Sequence, residues 1–176
     1  MAGARIYLIV SGPPGSGKST LAPQIAAHFG LPLIAKDTIK DALMAHVPPR
    51  DIEASRDLGR AAVAIMYAVA AEAPRGAVIE SVFYRSPALP DLRALPGRLV
   101  EVFCRCDPQT ALARYRARSG TRHAGHFDAD RTTDEIQDPE VSQPVAGGWP
   151  VVEVETDAPT DVDTLLRTIE SRLAAS

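Results

Sequence analysis

Lysine is nearly absent from this chain of 176 residues: of 19 basic residues sixteen are arginine, and only Lys18, Lys36 and Lys40 are lysine. Cysteine is scarce too. Cys104 and Cys106, two apart in an apparent strand, are too close in sequence to bridge comfortably, and no second pair completes a metal site. They read as buried or half-buried thiols in a reducing cytoplasm. No apolar run approaches the roughly 18 residues of a membrane helix, and the start has no charged-then-apolar signal architecture. There is no basic stripe, and the net charge of −3 argues against a broad nucleic-acid surface, so no long nucleic acid and no membrane is expected as a partner. Repeats and low-complexity linkers are missing as well. These absences leave a single domain, 1–176, with the globular composition of 45% hydrophobic and 23% charged residues.

Against that background one segment stands out. Gly12-Pro13-Pro14-Gly15-Ser16-Gly17-Lys18-Ser19-Thr20 completes the pattern G-x-x-x-x-G-K-[ST]. An apolar run, Ile6 to Val10, enters it, and Leu21, Ala22, Ile25 and Ala26 leave it at helical spacing. Strand, glycine loop and helix together make a phosphate cradle. Gly12, Gly15 and Gly17 let backbone N–H groups turn inward, and the helix N-terminus adds its partial positive charge. Lys18 reaches the outer phosphates of a nucleoside triphosphate, and Ser19 offers its hydroxyl to Mg²⁺. All three lysines fall in this loop or shortly after the second strand, which marks both segments, because a compact ammonium is not replaceable by a guanidinium at every site.

Elsewhere strands and helices alternate. Strands are expected at Arg5–Ser11, Leu31–Ala35, Ala77–Val82, Leu99–Cys104 and Val151–Glu155. Helices are expected at Lys18–Phe29, from an Asp37 cap to about His46, over Asp51–Ala73, from an Asp107 cap to about Arg118, and over Thr160–Ala174. The alanine-rich stretch Ala61–Ala73 reads as buried. This alternation predicts an α/β fold: a five-stranded parallel sheet with helices on both faces, in three layers. The segment Ser119–Gly148 follows no regular period and is long for a connection, so together with the helix end at Arg114 it is expected to form a lid, about 114–148.

The loop Gly12–Thr20, followed about twenty residues on by Ala35-Lys36-Asp37-Thr38-Ile39-Lys40-Asp41-Ala42-Leu43-Met44, resembles the small P-loop kinases. Within them it is most similar to the group of polynucleotide 5′-hydroxyl kinases, chloramphenicol phosphotransferase and zeta-toxin kinases. The resemblance implies the P-loop NTPase fold, ATP as phosphoryl donor with Mg²⁺, and Asp37 as general base. A basic residue follows three positions later; that group has arginine there, and this chain has Lys40. Its third strand commonly ends in aspartate, whereas this one ends in Glu80. The R-x-x-x-R pattern leading into the lid matches Arg114 and Arg118.

The residues agree with that resemblance on their own terms. Asp37 follows a strand at the carboxyl end of the sheet, where open α/β sheets bind ligands, and it can accept a hydroxyl proton or simply cap its helix. Glu80 can hold Mg²⁺ through water or bind substrate hydroxyls, or be a solvated strand end. Arg85, after Phe83 and Tyr84, is a candidate for the acceptor pocket, as are Lys40, His123 and His126. Arg114 and Arg118 share a helical face, and guanidinium groups of Arg118 and Arg122 on a lid can neutralise a transferring phosphoryl group. The expected activity is transfer of the γ-phosphoryl of ATP to a hydroxyl of a small molecule by a cytoplasmic monomer or homodimer. The alternatives are a nucleotide or polynucleotide 5′-end acceptor, and an NTPase switch without any acceptor. No guanine-reading N-K-x-D motif is present.

Overall fold

Ile6–Ser11 (IYLIVS) forms the central strand, β1, and all but its first residue are buried. A strand that is apolar on both faces must be covered on both, and here it is. The structure, a computed structural model, describes residues 4–119, 124–127, 133 and 138–175. Along the chain β1 is followed by α1 (Lys18–Phe29), β2 (Leu33–Ala35), α2 (Lys36–His46), α3 (Ile52–Glu72), β3 (Gly76–Glu80), α4 (Arg85–Arg93), β4 (Arg98–Arg105), α5 (Pro108–Ser119), a 3-10 turn (Ala124–His126), β5 (Val151–Glu155) and α6 (Val162–Ala175).

The five strands form one parallel sheet in the order β2-β3-β1-β4-β5. Leu8, Val10, Val78 and Val102 face α1 and α6, packing on Ile25 and Ile169. Tyr7, Ile9 and Ile79 face the other way, onto Met66 of α3 and Leu92 of α4. The side-chain period of two in each strand therefore divides the core into two halves and gives the expected three layers.

Local signals explain most boundaries. Gly30 ends α1 in a left-handed conformation (φ 59), its N–H closing back on Ala26 and Ala27. Asp51 caps α3 by accepting from the Ala54 N–H at 2.7 Å, and Asp107 caps α5 through the Thr110 N–H at 2.9 Å. Three expectations change. Asp37 is not a cap: α2 begins at Lys36, the cap position is Ala35, and Asp37 lies within the first turn. Residues 85–93, for which no element was expected, form α4, with Pro87 in the first turn where its missing N–H costs nothing. The stretch Ala61–Ala73 is only half buried: Ala62, Met66 and Ala70 face the core, while Ile65 and Val69 are 39% and 51% exposed.

Glu101, in the middle of β4, is fully buried. It accepts from Ser11 Oγ at 2.7 Å, from the N–H groups of Val145 and Ala146 at 2.9 Å each, and from Trp149 Nε1 at 3.1 Å. One carboxylate thus anchors the irregular chain before β5 to the sheet. Much of the expected lid, residues 120–123, 128–132 and 134–137, lies outside the described residues.

Candidate active site

The glycine loop sits at the carboxyl end of β1 and runs into α1. Gly15 (φ 84) is obligatory, because a Cβ there would stand 2.0 Å from the Ala111 carbonyl oxygen of α5. The Lys18 ammonium donates to the carbonyls of Gly12 at 2.8 Å and Pro13 at 2.6 Å, and approaches Ser16 Oγ at 3.4 Å. Its burial pushes the pKa down, against the pull of Glu80 in the opposite direction. Thr156, just after β5, braces the loop: its Oγ1 lies 2.9 Å from the Ser16 carbonyl and 2.8 Å from that of Arg105.

Two carboxylates face this loop. Ser19 Oγ donates to Glu80 Oε1 at 3.4 Å across the end of β3. Glu80 is 8% exposed, and burial raises its pKa, with Lys18 pulling it back down and Asp37 adding to the rise. The strand end is therefore not solvated. Asp37, delivered by the first turn of α2, accepts from Lys36 Nζ at 2.9 Å. Lys36, one of the three lysines, lines the same cavity. The scarcity of lysine was the signal that pointed to it. Ser19 and Glu80 offer hard oxygen donors side by side, the donor chemistry Mg²⁺ takes when phosphates and water supply the rest of its shell. Among the described residues no three His, Cys, Asp or Glu form a metal cage of their own.

A cavity of about 510 Å³ extends from the loop away from α1. Lys18, Ser19, Asp37, Glu80 and Arg118 line the phosphate end, so the structure brings these sequence candidates together. Lys40 also lines it, yet it is 1% exposed, with Nζ donating to Ser55 Oγ at 2.8 Å. Ser55 Oγ in turn donates to the Gly125 carbonyl at 2.6 Å, fastening the 3-10 turn to α3. The same turn brings His126 into the cavity wall, 4% exposed, its Nε2 donating to Asp41 Oδ1 at 2.6 Å. The sequence could not show that α2 and the turn meet.

Two candidates stand elsewhere. Arg85 does not line the cavity; it opens α4 beside Glu140, whose carboxylate accepts the Ser86 N–H at 2.7 Å, while its aromatic neighbours Phe83 and Tyr84 do line it. Arg114 turns to the other side of the loop, donating to the carbonyls of Thr156 at 2.8 Å and Asp157 at 3.1 Å. Arg122 and His123 lie outside the described residues. Cys104 and Cys106 are free and buried. Burial pushes the Cys104 thiol up to about 12 and raises that of Cys106, so neither is poised as a thiolate.

Known structures share this fold. A protein of Chloroflexus aurantiacus j-10-fl assigned as a kinase superposes with a TM-score of 0.85 at 24% identity, covering 96% of this chain and 98% of that one. A gluconokinase from Sinorhizobium meliloti 1021 gives a TM-score of 0.61 at 21% identity, covering 96% and 91%. An adenylate kinase of Nocardioides sp. is 45% identical over 49 residues, 28% of this chain and 26% of its own length, so the likeness spans about a quarter of that relative. Residues 8–138 match the AAA domain family AAA_33. With the glycine loop, the parallel sheet and most of its length accounted for, the chain belongs to that AAA domain family.

Proposed function

We propose that this protein is an ATP-dependent kinase that moves the γ-phosphoryl group to a hydroxyl of a small-molecule acceptor. The observation that carries the reading is one cavity of about 510 Å³ that Lys18, Ser19, Glu80 and Asp37 share with residues of α3 and α4. An enzyme that only hydrolyses ATP has no use for a chamber next to its phosphates.

The loop Gly12–Thr20 binds the donor phosphates through backbone N–H groups and the Lys18 ammonium, with Arg114 beside it near the nucleotide. Ser19 and Glu80 would hold Mg²⁺, which would supply positive charge beside the outer phosphates. Asp37 takes the proton of the acceptor hydroxyl as its oxygen bonds to the γ-phosphorus. The bond from that phosphorus to the bridging oxygen breaks, and ADP leaves with the electron pair. The Lys36 ammonium orients the Asp37 carboxylate. Arg118, and Arg122 from the lid segment 114–148, offset the charge on the transferring group. Lys40 and His126 shape the acceptor chamber from α2 and the turn. We assign the protein to the cytoplasm, as a single-domain monomer or homodimer.

The adenylate kinase likeness favours a second reading, a nucleotide acceptor, whose accepting atom is then a phosphate oxygen rather than a hydroxyl. ADP formation measured with and without a panel of hydroxyl compounds and adenosine monophosphate decides between the two. Acceptor-dependent turnover with hydroxyl compounds is the expected result. Turnover equally fast without an acceptor would show an NTPase.

A further inference from the structure

Gly59 has no reason in the fold to be glycine. It lies inside the 21-residue helix α3, where glycine weakens a helix through backbone entropy. Its φ is not in the left-handed range, and among the described residues a Cβ built on it meets nothing within 4 Å, whereas one on Gly15 would strike backbone at 2.0 Å. The space it leaves opens into the cavity. Gly59 sits on one helical stripe with Arg56, Arg60, Val63 and Tyr67, all of which line that cavity.

The chamber around that bare backbone is mostly carbon. The chain holds only four Phe, four Tyr and one Trp, and Tyr67, Phe83, Tyr84 and Tyr115 all border this cavity. The Tyr67 and Phe83 rings stand 6.5 Å apart and tilted by 44°. Val63, Val82, Pro87 and Ala88 fill in between. Among the described residues the Tyr67 hydroxyl is buried without a hydrogen-bond partner, so the ring presents carbon rather than a donor to the chamber. The two arginines at the rim are offset within their own helix, Arg56 by Glu53 at 3.4 Å and Arg60 by Glu53 at 3.2 Å and by Asp57. An anionic acceptor is therefore not demanded.

We infer that the acceptor is an alcohol with a rigid, mainly apolar ring body, alicyclic or aromatic, whose face lies on Gly59 between Val63, Tyr67 and Phe83 and whose hydroxyl reaches Asp37. The inference rests on the kinase reading and names its substrate class. Asp91 lines the cavity too, but an open-chain polyol would still lay several of its hydroxyls against Val63, Tyr67 and Phe83, where carbon offers them no partner, a cost that selects against it. The glycine is the space in which the ring lies.

The test compares kcat/KM for cyclohexylmethanol, benzyl alcohol and phenylethanol with that for glycerol, gluconate and adenosine monophosphate, in the wild type and in Gly59→Leu. Ring alcohols should exceed the polar acceptors at least tenfold in the wild type. Gly59→Leu should fold with an equal or higher Tm and bind ATP within twofold of the wild type. Its KM for the ring alcohol should rise at least tenfold, and Gly59→Ala should fall between. Polar acceptors turning over faster than ring alcohols would overturn the class while leaving the kinase reading standing. An unchanged KM in a folded Gly59→Leu would remove Gly59 from the acceptor site. Wild-type ADP release at one rate with and without every acceptor would overturn both readings.

Discussion

Glu80 and Glu101 are both buried carboxylates, on the two strands that flank β1, and their surroundings could hardly differ more. Glu80 stands beside Val10 in the register and Glu101 beside Ile9, so a single step along the pleat sends them to opposite faces of the sheet. Glu101 accepts from four donors. Among the described residues Glu80 accepts from Ser19 alone, at 3.4 Å, and keeps a raised pKa. A carboxylate whose lone pairs are all used is part of the framework. One that is buried and nearly unserved can take a cation or a proton, and it lies next to Lys18 and Asp37. The difference separates structure from chemistry better than burial does.

The comparison is sharpened most by Asp37, the second carboxylate on the Glu80 side. Asp37→Asn should lower transfer to the acceptor by roughly 10²–10⁴-fold, the scale of general-base catalysis. ATP binding should be almost unchanged. Since Asp37 is not a helix cap, stability should move by less than about 1 kcal/mol, from the loss of a negative charge in a first turn. Steady-state rates and a melting curve on the same preparation check this; near-normal transfer would move the base role to Glu80.

Glu101→Ala addresses the other side. It strips four donors of their partner, three of them backbone or indole N–H groups held inside, and should cost about 3–4 kcal/mol by urea unfolding, at the charged-acceptor scale of hydrogen-bond loss. Unchanged stability would break the comparison, because Glu101 would then be no more framework than Glu80.

Glu80→Gln should weaken Mg²⁺-dependent ATP binding about tenfold, near 1.4 kcal/mol, without destabilising the fold. The pH dependence has a definite sign. A carboxyl whose pKa is raised on folding holds more protons in the folded state, so wild-type stability falls as pH rises from the ordinary carboxylate range through the raised value of Glu80. Mg²⁺-dependent ATP binding runs the other way, weakening as pH falls through the same window. Unfolding and titration calorimetry at several pH values should show both slopes in the wild type and neither in Glu80→Gln.

The smallest effect concerns α3. Gly59→Ala should stabilise the protein by about 0.5–1 kcal/mol, the helix cost of glycine returned with no clash. A loss of stability instead would mean that the fold needs the glycine, as it needs none of the lone pairs of Glu80.

How far the sequence carried this picture depends on the range of the interactions. The glycine loop, the Asp107 cap and the five strands are local patterns, and each was legible within a few residues. Asp37 was found because its position after a strand is a topological rule. The start of α2 was misjudged by two residues, since Ala35 carries no capping side chain to announce the boundary. Lys40 was named without its burial, because Ser55 and Gly125, its path to the turn, are 15 and 85 residues away. Glu101 was missed altogether: its donors at Ser11, Val145, Ala146 and Trp149 are brought together only by the sheet. Arg85 was assigned to the chamber by adjacency to Phe83 and Tyr84, but the first turn of α4 gives neighbours different directions.

The strand order has a consequence for how the protein is made. β3 lies between β1 and β2, although it is synthesised after both. A chain leaving the ribosome therefore displays Lys18 and Asp37 early but has nothing to hold them in one place until residues 76–80 have emerged and slotted in between. β1 and β2 have no pairing with each other to rely on meanwhile. The phosphate loop gains its last brace only when Thr156 arrives, 140 residues after Ser16. A nucleotide can thus select the finished molecule but cannot guide a half-made one, and its binding stabilises this protein only after the last strand is in place.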